Sequence, residues 1–276
     1  MLPWPINRKR NAVAMLLLAT IVLIGHLASA GESEMSEQDE KSGSGAPILR
    51  HEAKDRDWTA PEHSGRNLES VEAHLEKYIG PVDFVYHEIV SDLIHLDLLY
   101  IKPTKDRPYA VVATSGVSDL PMSVPEGMEE YARAELLIAL PEGWPTSDEA
   151  HKDEANYWPL RWLKSVGRLP HDYETWIGYG HTIPNGDPPE PIADTEFVGV
   201  MVSMPYWLDA DFFQLEADSG DTVTFWDVVP LYGEEMQFKL DKGAEALEKR
   251  FEKQDIGFVL DIHRPNVAKS KGWFGR

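Results

Sequence analysis

The chain contains no cysteine. That absence removes disulfides, thiolate metal ligands, a cysteine nucleophile and a lipidated-cysteine anchor from consideration. Basic residues are scarce as well: 26 Lys and Arg stand against 47 Asp and Glu, a formal net charge of −21. Binding to DNA or RNA by phosphate neutralisation needs the opposite balance, so nucleic acid is not expected as a partner. A basic or neutral protein surface suits this charge better. The G-x-x-x-x-G-K-[ST], G-x-G-x-x-G and H-E-x-x-H signatures are missing too, and no internal repeat is visible.

Long apolar runs are equally rare. The one that stands out, residues 12–27, follows Arg8, Lys9 and Arg10 and precedes Ala28, Ser29 and Ala30. A basic segment, an apolar segment and an A-x-A-like site describe a secretory signal peptide. A retained anchor is the alternative, and a start at Met35 would instead leave the protein in the cytoplasm. The expected location is therefore periplasmic or secreted, or anchored, with any membrane attachment confined to residues 12–30. Residues 31–66 are polar, acidic and Gly/Ser-containing, which predicts a disordered tether. Residues 67–268 form the expected folded domain, and 269–276 a tail.

Within that domain, Leu68, Val71, Leu75, Tyr78 and Ile79 share one helical face, with Asn67 placed as N-cap and Gly80-Pro81 as a stop. Residues 83–104 are rich in β-branched and aromatic side chains and predict two strands broken at Ser91-Asp92. YAVVATSG and RAELLIALP predict two more, the second with Glu135 along it. YWPLRWLKSVGRLP predicts a helix with Pro159 in its first turn, followed by a loop over 170–191. EFVGVMVSMP and DTVTFWDVVPLY read as strands, EEMQFKLDKGAEALEKRFEKQ as helix interrupted at Gly243, and IGFVLDI as a closing strand. The fold class is α+β: one compact domain with a mixed, mainly antiparallel sheet and flanking helices.

Three clusters invite a chemical reading. TSGVSDLPM (residues 114–122) follows an apolar strand, where α/β enzymes place nucleophiles, so Ser115 or Ser118 with His181 describes a hydrolase. A nucleophile elbow needs G-x-S-x-G, however, and Leu120 stands where the second glycine belongs, with Pro121 after it. A turn whose Ser118 and Asp119 bond nearby backbone is the better reading. His87, Glu88, His95 and Asp97 carry ligand-type side chains, and a turn at Ser91-Asp92 would bring the two halves together as a metal-dependent site. Scattered His and Asp on strands are more often hydrogen-bonded than ligating, so no metal and no cofactor are assigned. Trp176, Tyr179 and His181 lie in a Gly/Pro-rich loop that reads as a recognition surface. Glu234, Glu235 and Asp241 sit near Lys239 and Lys242 at helical spacing, which reads as a solvated face.

Taken together, HEIVSDLIHLDLLYIKPT, TSGVSDLPM, RAELLIALP, YWPLRWLK, GYGHTIPNGDP and PLYGEEMQFKLDKG resemble, in order and interval, the suppressor-of-fused domain family, over residues 82–266. The resemblance implies a compact α/β fold. It also implies a binding role without catalysis: animal members restrain transcription factors, and bacterial members include immunity proteins that neutralise toxins, often nucleases. Positions matching the family's recurrent polar set are His87, Glu88, Asp97, Ser115, Gly116, Ser118, Asp119, Glu135, Trp158, Pro159, His181, Pro230 and Glu235. The expected function is a non-catalytic protein-binding domain of immunity or antitoxin type with a basic toxin or nuclease as partner. The expected binding residues are His87, Glu88, Asp97, Ser115, Ser118, Asp119, Trp176, Tyr179 and His181. The export signal and acidic tether depart from a simple cytoplasmic antitoxin.

Overall fold

Strand alternation splits the core of this protein into two faces. Along β4 (Ala134–Pro141), Ala134, Leu136, Ile138 and Leu140 join one apolar cluster, while Leu137 and Ala139 join another. The same two-residue period divides β2 (Asp97–Ile101) and β3 (Tyr109–Ser115). Both faces must therefore be covered, and a helix lies on each. The computed structural model describes residues 40–52 and 56–269. The expected signal segment, the first part of the tether and most of the tail lie outside them.

Helix α1 (Leu68–Tyr78) closes one face with Val71 and Leu75, both without exposed surface. Helix α2 (Glu154–Asp172) closes the other with Trp158, Trp162, Leu163 and Val166. The remaining strands are β1 (Phe84–Tyr86), β5 (Thr182–Pro184), β6 (Phe197–Ser203), β7 (Gln214–Glu216) and β8 (Thr222–Tyr232). They form a sheet in the order β1-β2-β3-β4-β8-β6-β5, with β7 also on β8. Only the β4–β8 pair is parallel, so the sheet is mixed and mainly antiparallel, as expected. Helices α3 (Gly233–Lys242) and α4 (Ala244–Lys253) break at Gly243 and pack Met236, Leu247 and Phe251 against Met201 and Leu231.

Some expectations need correction and others gain detail. Helix α2 begins at Glu154, capped by Asp153, whose Oδ1 accepts from Ala155 N at 3.0 Å. Pro159 therefore lies past the first turn, and the helix runs through Pro170, where a loop was expected. IGFVLDI makes only an isolated parallel bridge, Ala139 with Val259, on the β4 edge that β8 leaves after Leu137. Asn67 does occupy the N-cap of α1 but makes no capping bond; its side-chain amide turns to Ser118 instead. Residues 56–66, expected within the tether, lie on the domain. Arg56 pairs with Asp92 at 2.9 Å and Asp172 at 3.1 Å, and Arg66 with Asp221 at 2.6 Å.

Candidate functional site

The Thr114–Asp119 turn is held from inside. Gly116 adopts φ 108°, and a Cβ there would sit 1.9 Å from the His95 carbonyl oxygen, so only glycine fits. The turn that follows, Val117–Asp119, points its polar groups at Glu135 of β4. Glu135 Oε1 accepts from Gly116 N at 3.0 Å, Ser118 N at 3.0 Å and Ser118 Oγ at 2.7 Å, and its Oε2 accepts from Thr114 Oγ1 at 2.5 Å. Burial raises the Glu135 pKa to about 7 despite those four donors. Ser118 O and Oγ both accept from Asn67 Nδ2, at 3.2 and 3.3 Å. Asp119, its pKa raised by burial, accepts from Gly65 N at 2.8 Å and Asn67 N at 3.3 Å.

These partners dispose of the serine–histidine reading. Ser118 has no exposed surface and Ser115 is 5% exposed. Ser115 ends β3 while His181 adjoins β5, and four strand steps separate those strands, roughly 19 Å at ordinary strand spacing. His181 instead packs edge-on against Trp176, with ring centroids 4.3 Å apart. Burial first, and then the Lys239 charge, lower its pKa to about 4. The fold thus does not bring Ser115 or Ser118 to His181.

Nor do Trp176 and Tyr179 project as bare aromatic anchors. Both are half-buried against the α2-side core. Tyr179 OH donates to Glu248 Oε2 at 2.6 Å, and Ser203 Oγ donates to Glu248 Oε1 at 2.7 Å. Burial raises Glu248 to about 7 as well. Glu235 departs from the solvated face read in the sequence. It is fully buried and grips Arg264, whose Nη2 lies 2.6 Å from Oε2 and whose Nη1 lies 2.7 Å from Oε1. Its helical neighbour Lys239 is not its partner.

The histidine and aspartate group does assemble. Tyr86 pairs with Leu98 in the β1–β2 ladder, so His87 and Asp97 face each other where that ladder ends. His87 Nδ1 lies 2.9 Å from Asp97 Oδ2, and His95 Nε2 lies 3.1 Å from Asp97 Oδ1. Glu88 N donates to Asp97 Oδ1 at 2.9 Å. Glu88 itself is engaged by Arg168 of α2, and that arginine also donates to the carbonyls of Asp92 and Ile94. Ser91, read in the sequence as part of a strand break and not as a site residue, places Oγ 2.7 Å from His95 Nδ1. Its signal was present, since a serine at the expected strand break stands four residues before His95.

The model of the suppressor of fused protein family matches residues 92–265, more than half of the chain. The chain belongs to the suppressor of fused family. Solved structures share the fold. A protein from Neisseria gonorrhoeae described as a homolog of suppressor of fused aligns at a TM-score of 0.54 and 18% identity, over 73% of this chain and 97% of that one. A Sufu–Fu complex aligns at 0.52 and 14%, over 73% and 92%. Drosophila Suppressor of Fused aligns at 0.53 and 13%, over 78% of this chain and 54% of that one. No curated protein matches. Within this suppressor of fused domain, the polar positions singled out by resemblance divide by role. Ser118, Asp119, Glu135 and Glu235 hold the interior together, whereas His87 and Glu88 sit at the mouth of the β1–β2 loop.

Proposed function

We propose that this chain is a non-catalytic protein-binding domain of immunity type, and that its partner is a basic protein such as a toxin nuclease. The observation that carries the reading is where the chain leaves apolar side chains exposed. Ile89 is 97% exposed, Val90 76% and Trp58 63%, and Trp58 Nε1 donates to the Ser91 carbonyl of the same loop. Exposed aliphatic and aromatic groups beside half-buried polar ones are the usual core of a binding surface. The Sufu–Fu complex supports a partner-binding use of the fold, and the net charge of −21 supports a cationic partner.

In this reading His87 and Glu88 border the contact, and Asp97 props the loop that carries it. Ser115, Ser118 and Asp119 act on affinity through folding. Trp176, Tyr179 and His181 are a second, half-buried part of the surface. Residues 1–30 direct export or anchoring, which a determination of the mature N-terminus tests. The function itself is tested by affinity capture from the native host at low and at moderate salt, with wild type and an Ile89→Asp, Val90→Asp double variant. A basic protein recovered by wild type and lost by the variant is the expected result. Recovery of nothing at either salt concentration overturns the reading.

A further inference from the structure

We propose that His87, His95 and Asp97 form a binding site for a zinc-class divalent cation, with three protein ligands and a fourth coordination position open to solvent. One ligand atom from each residue lies within 4.8 Å of the other two. A cation held at about 2.0–2.1 Å from imidazole nitrogen and carboxylate oxygen in a tetrahedron keeps its ligand atoms roughly 3.3 Å apart. His87 Nδ1 lies 2.9 Å from Asp97 Oδ2 and His95 Nε2 3.1 Å from Oδ1, so a cation bound through one carboxylate oxygen needs the 4.8 Å spread of the three ligand atoms to contract by about 1.5 Å or less. The donor set selects the ion. Two imidazoles and one carboxylate suit zinc, cobalt or nickel, whereas calcium and magnesium require a shell of oxygens.

The surroundings are built as an outer shell. A histidine that ligates through one nitrogen ordinarily donates its other N–H to a nearby acceptor, which fixes the tautomer. Ser91 Oγ stands 2.7 Å from His95 Nδ1, placed to accept that N–H once Nε2 ligates a cation. Asp97 is held in turn by the backbone N–H of Glu88, and Arg168 ties Glu88 and the 92–94 carbonyls to α2. The site opens outward, because the His87 side chain is 73% exposed. The fourth position is accordingly available to water. The proposal stands on this geometry alone and not on the partner-binding reading.

The test uses the full-length protein without an affinity tag, in mild detergent and treated with chelator, titrated with cobalt(II) alone and then with zinc(II). One cobalt per chain with the intense visible bands of a tetrahedral site, bleached by zinc, is the expected result. His87→Ala should weaken binding by about tenfold or more while leaving the far-ultraviolet circular dichroism unchanged, since that imidazole is mostly in solvent. Ser91→Ala should weaken binding about 10–100-fold but keep the cobalt spectrum. Absence of saturable uptake overturns the proposal, as does uptake undiminished in a His87→Ala, His95→Gln double variant. Stoichiometric fluorophosphonate labelling of Ser91 without metal uptake also overturns it and assigns the cluster to a hydrolytic relay.

Discussion

Glu135 has no exposed surface, accepts four hydrogen bonds and still has its pKa raised to about 7, because burial outweighs those donors. A carboxyl whose pKa is higher in the folded chain contributes stability that is full below its ordinary value of 4.5 and is lost as pH rises through about 7. Glu135→Gln removes that titration while keeping Oε1 as an acceptor and offering an amide N–H to Thr114. The substitution should therefore cost about 1–3 kcal/mol at pH 5 and less at pH 8, as read from urea unfolding at both. Ser118→Ala strips a donor from Glu135 and an acceptor from Asn67, and should cost about 1–3 kcal/mol with no hydrolytic activity to lose. A hydrolytic rate that falls while stability holds would contradict the assignment. Glu135 could be suspected from the sequence, since one acid inside the apolar run RAELLIALP must find partners. Which partners it finds depended on a turn seventeen residues upstream.

At the scale of elements, the turn after β3 and residues 264–267 are fixed by contacts that local pattern does not contain. Gly116→Ala introduces a Cβ at 1.9 Å from the His95 carbonyl oxygen and should prevent native folding or cost several kcal/mol. Loss of the cooperative thermal transition is the readout. Glu235 links the start of α3 to residues 264–267 through Arg264 and through Val267 N at 2.9 Å. Arg264→Met leaves a buried carboxylate unpaired and should cost about 3–5 kcal/mol in chemical denaturation. Helical spacing pointed Glu235 towards lysines on its own helix, because i, i+4 neighbours are all that one helix reveals. The arginine that claims it lies twenty-nine positions later. Strands and helices with a strong period were read correctly in kind; their ends moved where a cap such as Asp153 or a shared strand edge decided them.

Across the whole molecule, buried titratable groups oppose one another. Glu135, Asp227 and Glu248 all have pKa values raised to about 7, chiefly by burial, so each loses stability as pH rises from the ordinary carboxylate range through about 7. His74, His151, His171 and His181 are lowered from 6.5 by burial, so each gains stability as pH rises towards 6.5. Below about pH 6.5 the two sets act in opposite directions, and from there to about 7 the buried carboxylates still lose stability. Asp221, lowered to about 2 chiefly by its bond to Arg66, adds stability that is lost as pH falls below about 4. The melting temperature should therefore fall below about pH 4 and again as pH rises through about 7, which calorimetry from about pH 3 to about pH 8 measures. The net charge of −21 has its own consequence. Association with a basic partner should slow about tenfold or more between low salt and physiological salt, with dissociation much less affected, as stopped-flow mixing would show.

Composition and periodicity alone determined the class of this protein. Period-two apolar runs specified strands, period-3.6 runs specified helices, the missing cysteine removed a whole chemistry, and the ordered segments carried the family. These signals are local or additive, so a linear reading captures them. The tertiary structure decided what the polar residues are for. It buried Ser118 under Glu135, set β3 and its following turn four strand steps from the strand beside His181, and brought ligand atoms of His87, His95 and Asp97 within 4.8 Å of one another. Each outcome depends on strand order and register, which bring distant positions together and which no spacing along the chain encodes.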